Sequence, residues 1–273
     1  MPPSKIYIGT SGWSYKDWIG RFYPERSAKQ QFEFYSKHFN TIEINNSFYK
    51  LPPRSVFQDW HEHSRKKFLF TVKANRFITH MRKLTQPQEP IARLFGSIDA
   101  LKEKLGPILF QLPPKWKVNV TRFKEFLEAL PKGHRYAFEF RNETWYHVEI
   151  YQLLQQYNCA FCIYELAGHL SPIKVTADFV YLRLHGPTEL KYQGSYSKGA
   201  LKKWAKQCTT WQKEKRDVYV YFDNDQEAYA AFNALTLKQL VANAKSSEIK
   251  SKRLERFGGH TPTWTIDDRH FAK

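Results

Sequence analysis

Over several short runs of this chain, apolar and polar residues alternate one by one. In Thr41-Ile42-Glu43-Ile44-Asn45 the isoleucines face one way, and Glu43 and Asn45 face the other. Phe70-Thr71-Val72-Lys73-Ala74 repeats the pattern around Lys73, and Phe138-Glu139-Phe140-Arg141 around Glu139 and Arg141. Leu182-Arg183-Leu184-His185 does so around Arg183 and His185, and Ile108-Leu109-Phe110-Gln111 more mildly around Gln111. A period of two predicts strands. If the strands share a sheet, the apolar set packs under helices and the polar set converges. Burying those charges costs several kcal/mol each unless they are paired, so the convergence marks a candidate site.

Strands are predicted over 5–10, 41–46, 69–75, 107–112, 135–140, 158–165, 179–185 and 217–223. Amphipathic helical stretches separate most of them. Ser27 is placed to cap a helix carrying Phe32, Tyr35 and Phe39, and Ser55 precedes Phe57 and Trp60. Ile91, Leu94, Phe95, Ile98 and Leu101 form a stripe of helical period, as do Phe123, Phe126, Leu127 and Leu130. Leu201, Trp204 and Trp211 form another, and 228–240 closes the series. The stretch 166–178, with Gly168, Ser171 and Pro172, has no room for a good helix. Eight strands with alternating helices predict an α/β fold, a (β/α)8 TIM barrel whose helix after strand 6 is reduced to a loop. An open doubly wound sheet would need strands apolar on both faces. The expected organisation is one barrel domain over 1–243 and a basic extension over 244–273, which either wraps the barrel or stays mobile.

The 273 residues are 42% hydrophobic and 16% aromatic, enough for a substantial core and against disorder. Three cysteines, Cys159, Cys162 and Cys208, form no disulfide framework and fit a reducing compartment. Met1-Pro2-Pro3-Ser4-Lys5 leads straight into a strand, so no signal peptide is expected, and no apolar run approaches membrane-spanning length. The expected location is the cytoplasm, with no membrane partner; the oligomeric state stays open. The formal net charge of +17 admits nucleic acid as a partner. However, Arg65-Lys66-Lys67, His134-Arg135 and the run from Lys213 to Arg216 each precede a strand. In a βα repeat that puts them opposite the strand C-termini, so a solvated basic shell is the plainer account.

A series of dispersed motifs runs along the chain: Gly9-Thr10-Ser11-Gly12-Trp13-Ser14-Tyr15, Trp18 with Gly20, Phe22, Tyr23 and Pro24, and Glu43-Ile44-Asn45 with Phe48 and Tyr49. It continues through Lys73 with Ile78-Thr79-His80, Gln111-Leu112-Pro113-Pro114, Glu139-Phe140-Arg141 with Trp145, and Arg183-Leu184-His185-Gly186. Tyr219-Val220-Tyr221-Phe222, Asn224-Asp225 and Asn233-Ala234 complete it, over roughly 6–240. In these motifs the chain resembles the DUF72 family, also called YecE-like, an uncharacterised group with a TIM-barrel fold. Asp223 stands where the pattern resembles Asn, and Thr144 where Ser is usual. The resemblance implies the barrel but no reaction, so function is argued from the site.

Catalytic groups of such barrels sit at strand C-terminal ends, where Glu43, Asn45, Lys73, Gln111, Glu139, Arg141, Arg183 and His185 fall. Lys73, Arg141 and Arg183 against Glu43 and Glu139 leave a net positive set, suited to a phosphate or carboxylate held by arginine forks. The leading expectation is a metal-independent hydrolase, lyase or isomerase acting on a small anionic, sugar- or nucleotide-like ligand. Arg141 and Arg183 clamp the anion. His185 and Glu43 or Glu139 move protons, and Lys73 stabilises negative charge. Asn45, Gln111 and Asn224 orient hydroxyls.

Trp13, Tyr15, Tyr49, Trp145, Tyr192 and Tyr196, in or near the βα loops, either stack on a ring or pack the rim. Lys73 also admits a Schiff-base role, and Glu43 with Glu139 a glycosidase pair. Glu43, Glu139, His185 and Asp225 could ligate a metal, but neighbouring cations repel one and no metal-ligand spacing occurs, so no metal or cofactor is expected. Gly9-Thr10-Ser11-Gly12 lacks full phosphate-loop spacing. Cys159 and Cys162 point to opposite faces of a strand and read as structural. Leu51-Pro52-Pro53 and Leu112-Pro113-Pro114 stiffen strand exits and leave room for a cis bond. Two other classes stand beside the enzyme: a nucleic-acid-binding or repair protein, and a scaffold whose inner charges only pair with one another.

Overall fold

Eight parallel strands, numbered with a two-residue β7 between the sixth and seventh of them, surround a common interior: β1 (Ile6–Thr10), β2 (Thr41–Ile44), β3 (Leu69–Lys73), β4 (Leu105–Leu112), β5 (Tyr136–Phe140), β6 (Ala160–Leu166), β8 (Phe179–Leu184) and β9 (Asp217–Phe222). They are seen in a computed structural model that describes residues 3–24 and 28–256. The helices are α1 (Ala28–His38), α2 (Arg54–His63), α3 (Gln88–Ile98), α4 (Val120–Ala129), α5 (Val148–Gln156), α6 (Lys198–Lys213) and α7 (Tyr229–Arg256). The spatial order β1-β9-β8-β6-β5-β4-β3-β2 nearly closes a (β/α)8 barrel. Each predicted strand is present within about two residues of its expected ends.

The period-two pattern sorts the strands as expected. Ile8, Ile42, Phe70, Phe110, Phe138, Ile163, Leu182 and Val220 face outward into one large core with the helices. The opposite positions, among them Tyr7, Leu109, Cys162, Phe179, Tyr181, Tyr219 and Tyr221, fill the interior. The lower interior is therefore largely aromatic. Tyr7 stacks on Tyr219 with ring centroids 4.9 Å apart, and the Tyr221 hydroxyl meets Thr41 and Thr71 at 2.7 Å each. Arg135 lies at the N-terminal end, the face expected for it, but is paired there rather than simply solvated. Its Nη1 donates to Asp217 Oδ2 at 2.6 Å and to the Tyr219 hydroxyl at 2.8 Å.

The barrel has one thin line. β1 and β2 meet through a single bridge, Ser11 to Glu43, where the Gly12 N–H donates to Glu43 O at 2.8 Å. Lower down, Tyr35 of α1 inserts its hydroxyl, accepting from Thr10 N–H at 3.0 Å and donating to Thr41 O at 3.1 Å. Gly9 permits the approach, since a Cβ there would lie 2.4 Å from Thr41 O. Tyr35→Phe would orphan a buried N–H and a buried C=O, costing about 1–3 kcal/mol. A lower urea midpoint and faster exchange of the Thr10 amide would show it; an unchanged midpoint would refute it.

No helix follows β6. The two-residue strand β7 (His169–Leu170) turns back against it. Side chains of the next stretch then satisfy its backbone: Ser171 Oγ accepts from Tyr164 N–H at 2.9 Å and Thr176 Oγ1 from Phe161 N–H at 2.8 Å. Among the described residues no peptide bond is cis, so both Leu-Pro-Pro exits are trans. The last helix runs to Arg256, through residues expected to belong to an extension rich in turn formers. The expected Ser27 cap and the extension's final stretch, 257–273, lie outside the described residues. No helix among the described residues is long and apolar enough to cross a membrane.

Candidate functional site

At the C-terminal end of the barrel the inward alternation delivers Ser11, Glu43, Lys73, Glu139, Arg183, His185 and Asp223 to one level. All are buried, and Glu43, Glu139, Arg183 and His185 are each 0% exposed. Arg183 is the hub. Its Nε lies 3.1 Å from both Glu43 oxygens, and Nη2 donates to Glu43 Oε1 at 2.7 Å, Asp223 Oδ2 at 3.0 Å and Ser11 Oγ at 3.2 Å. Nη1 donates to Glu139 Oε2 at 2.8 Å. Glu43 also accepts from the Ser11 hydroxyl at 2.6 Å and the Tyr181 hydroxyl at 2.5 Å. Burial alone would raise the Glu139 carboxyl, but Arg141 and Arg183 outweigh it and hold it well below the usual carboxylate range. Burial pushes the Asp223 carboxyl up, against the pull of Arg183.

The carboxylates considered as metal ligands thus converge on a guanidinium, which occupies the position a cation would take. Asp225 stands apart from them. Burial raises its carboxyl to about 6, and its backbone oxygen receives the Trp18 indole at 2.8 Å. The glycosidase pair, Glu43 and Glu139, grips the same arginine.

His185 has a defined tautomer. Arg141 Nη2 and Arg183 Nη1 lie 3.0 and 3.2 Å from its Nε2. Guanidinium nitrogens only donate, so Nε2 accepts and the proton resides on Nδ1. Nδ1 sits 2.9 Å from Asp223 Oδ2 but is not aligned with it as a hydrogen bond. Burial, then Arg183 and Arg141, hold this imidazole neutral, its pKa well below the ordinary value. In this arrangement its one lone pair is already used.

Above the sealed layer Arg141 is fixed on three sides. Nε donates to Glu139 Oε1, Nη2 to His185, and the guanidinium lies 4.7 Å from the Tyr164 ring centroid. It borders a cleft of about 450 Å³ with Gln111, Tyr164, His169, Lys191 and Tyr192. Gly186, at φ 111°, lets the following loop fold back; a Cβ there would meet Gln193 O at 2.2 Å. That fold brings the Tyr192 ring to 5.6 Å from His185, closing the layer from above.

A second cleft of about 320 Å³ lies over β1 and β2, lined by Trp13, Tyr15, Asn45 and Tyr49. The Asn45 side-chain oxygen there is buried without a partner among the described residues. Lys73 stands beside the ionic layer with burial, then Arg183, lowering its amine to about 8.

The candidates therefore divide. Glu43, Glu139, Arg183 and His185 meet but are sealed; Arg141 and Gln111 face one cleft, Trp13 and Asn45 the other. Tyr196 and Asn224 line neither cleft. The Tyr196 hydroxyl accepts from Gly186 N–H at 3.1 Å, and Asn224 Nδ2 donates to Gly194 O at 2.7 Å, so both brace the loop after β8. Trp145 is buried and stacked on Phe140. Ser11, Tyr181 and Asp223 are additional members. Tyr219, Tyr221 and Asp223 continue one alternation in β9, which is the signal that could have revealed the third carboxylate. Asp223 also changes the charge expectation: three cations now face three carboxylates.

A model of the family described as "Protein of unknown function DUF72" matches residues 7–256. The Bacillus subtilis protein YunF is 27% identical, the match covering 92% of this chain and all of that one. The Escherichia coli protein YecE is 28% identical over 52% of this chain and half of its own length. Among solved structures, a DUF72 family protein from Thermotoga maritima matches with a TM-score of 0.77 and 28% identity, over 87% of this chain and 99% of its own. Another from Enterococcus faecalis matches at 0.75 and 19% identity, over 87% and 95%, a likeness of fold.

Proposed function

The chain belongs to the DUF72 family, proteins of unknown function, and on that premise we propose a metal-independent barrel enzyme acting on a small anionic, sugar- or nucleotide-like substrate at the mouth of the barrel. The observation that carries this reading is the state of Arg141. Three of its sides are fixed by Glu139, His185 and the Tyr164 ring, while the residue borders an open cleft. A guanidinium held this way loses little further entropy on binding a phosphate or carboxylate. The sealed layer beneath acts as its mount: Arg183 fixes Glu139, and Glu139 and His185 fix Arg141. Lys191 adds positive charge at the cleft, and Gln111 offers an amide to a hydroxyl.

The test is titration calorimetry with inorganic phosphate and a panel of sugar phosphates and nucleotides, on wild type and Arg141→Lys. A lysine keeps the charge but cannot supply the fork. Losing one charge-assisted hydrogen bond, about 1.5–3 kcal/mol, weakens binding roughly tenfold to a hundredfold. Equal affinity in the two proteins, or no anion bound by wild type, would overturn the reading.

A further inference from the structure

Among the described residues two lysines are buried, and they are treated in opposite ways. Lys104, 5% exposed, closes the end of α2: its Nζ donates to His61 O at 2.5 Å, Ser64 O at 2.8 Å and Ser64 Oγ at 2.9 Å. Lys73, 6% exposed, has no hydrogen bond or ion pair from its amine among the described residues. The amine lies instead over an aromatic face, with Nζ 4.2 Å from the Phe48 ring centroid.

That placement is built. Ser47 Oγ lies 2.7 Å from Lys73 O and 3.0 Å from Ile44 O, and Asn75 Nδ2 donates to Ser47 O at 2.9 Å. These links tie the turn after β2 to the end of β3 and aim Phe48 at the amine. His80 also packs on Phe48, with ring centroids 5.1 Å apart and planes nearly perpendicular, carried by a π-helical turn over Phe77–Met81. Such turns recur at functional sites. Burial and Lys73 hold the His80 imidazole at about 4, so it brings no positive charge.

We propose that Lys73 is an imine-forming nucleophile for an aldehyde or ketone whose anionic end is held by Arg141, a proposal that rests on the reading of Arg141 given above. An ammonium serving only as a counterion would be expected to touch a carboxylate; this one touches a ring. Neutral amine is the reactive form. Burial and then Arg183 favour it, against the pull of Glu139, Asp223 and Glu43 in the ionic layer, which favour the ammonium. Only β4 separates β3 from β5, which precedes Arg141. Their backbones thus lie roughly 10 Å apart, a span suited to a substrate of a few carbons.

In the step, the Nζ lone pair adds to the carbonyl carbon. Nitrogen loses its protons, and the oxygen departs as water, leaving a C=N bond. Water adding back across that bond restores the lysine. No oxidant, reductant or metal enters.

The experiment is reductive trapping with sodium cyanoborohydride, read by intact mass and peptide mapping. The probes are dihydroxyacetone phosphate and dihydroxyacetone. The expected result is a single adduct on Lys73, formed faster with the phosphate ester, with a rate rising to a midpoint near pH 8. It is absent from Lys73→Arg, which keeps the charge over Phe48 and whose folding is checked by circular dichroism. Adducts scattered over surface lysines, or equal labelling of Lys73→Arg, would overturn the proposal. The two readings fail separately. Lys73 labelled equally by both probes upholds the imine and removes the Arg141 anchor. Phosphate binding that depends on Arg141, without trapping at Lys73, keeps the anchor and removes the imine.

Discussion

Arg183→Met lowers the unfolding free energy by about 5 kcal/mol or more, enough to abolish folding at 37 °C in a domain of ordinary stability. Breaking a buried pair from one side costs about 3–5 kcal/mol, and here one deletion takes the guanidinium from Glu43, Glu139 and Asp223 together, leaving Glu139 only Arg141. The stranded carboxyls would escape by taking up protons, so the deficit shrinks as pH falls toward 5. Arg183→Lys recovers only a part, because one ammonium cannot reach partners arranged around a planar fork. The triple change Arg183→Met with Glu43→Gln and Glu139→Gln recovers much of the loss, since it removes the charges with their partner. Urea denaturation at pH 7 and pH 5 measures all of this. A midpoint for Arg183→Met within 1 kcal/mol of wild type would mean the ionic layer is not a structural hub.

Lys73→Met stabilises the protein at neutral pH, and the gain fades in alkali. The sign follows from linkage. The folded amine titrates near 8, below its ordinary 10.5, so between those values the unfolded chain binds the extra proton and stability rises with pH. Below about pH 8 the wild type carries the whole penalty, roughly 3 kcal/mol at 1.36 kcal/mol per unit. Losing the contact with Phe48 offsets about 1–2 kcal/mol of the gain. The difference between the two proteins should therefore narrow from pH 8 to pH 10; a constant difference would contradict it. Glu139 acts in the opposite direction at the acid end. Its carboxyl is depressed on folding, so its contribution is complete above the ordinary glutamate range and is lost as pH falls through the folded value.

The barrel was legible because period two and period 3.6 report which face meets the helices, and neither requires knowledge of the interior. Glu43, Lys73, Glu139, Arg183 and His185 could be grouped for the same reason: each shares a face with its strand's inward residues. What alternation could not show is who touches whom. Whether Arg183 points at a substrate or at Glu43 depends on rotamers and on Asp223, which arrives from β9 on a strand rich in tyrosine rather than in charge. Arg135 was placed at the correct end of the barrel but not its contacts, because its length lets it reach under the barrel floor to Asp217 and Tyr219. The end of the last helix was missed because 244–256 lacks a strong apolar stripe. Tyr196 and Asn224 were drawn into the site by sequence proximity to the strand ends, where loop bracing needs the same polar groups as ligand binding.

The Tyr35 splice has a mechanical corollary. A cylinder sewn along seven seams by backbone ladders and along the eighth by one bridge and a phenol will breathe at the eighth. Glu43 is the residue whose backbone forms that bridge, so each parting of the seam tugs at one corner of the ionic lattice. Transient wetting of those charges would then begin at the side wall, between the first two staves, rather than at the capped rim.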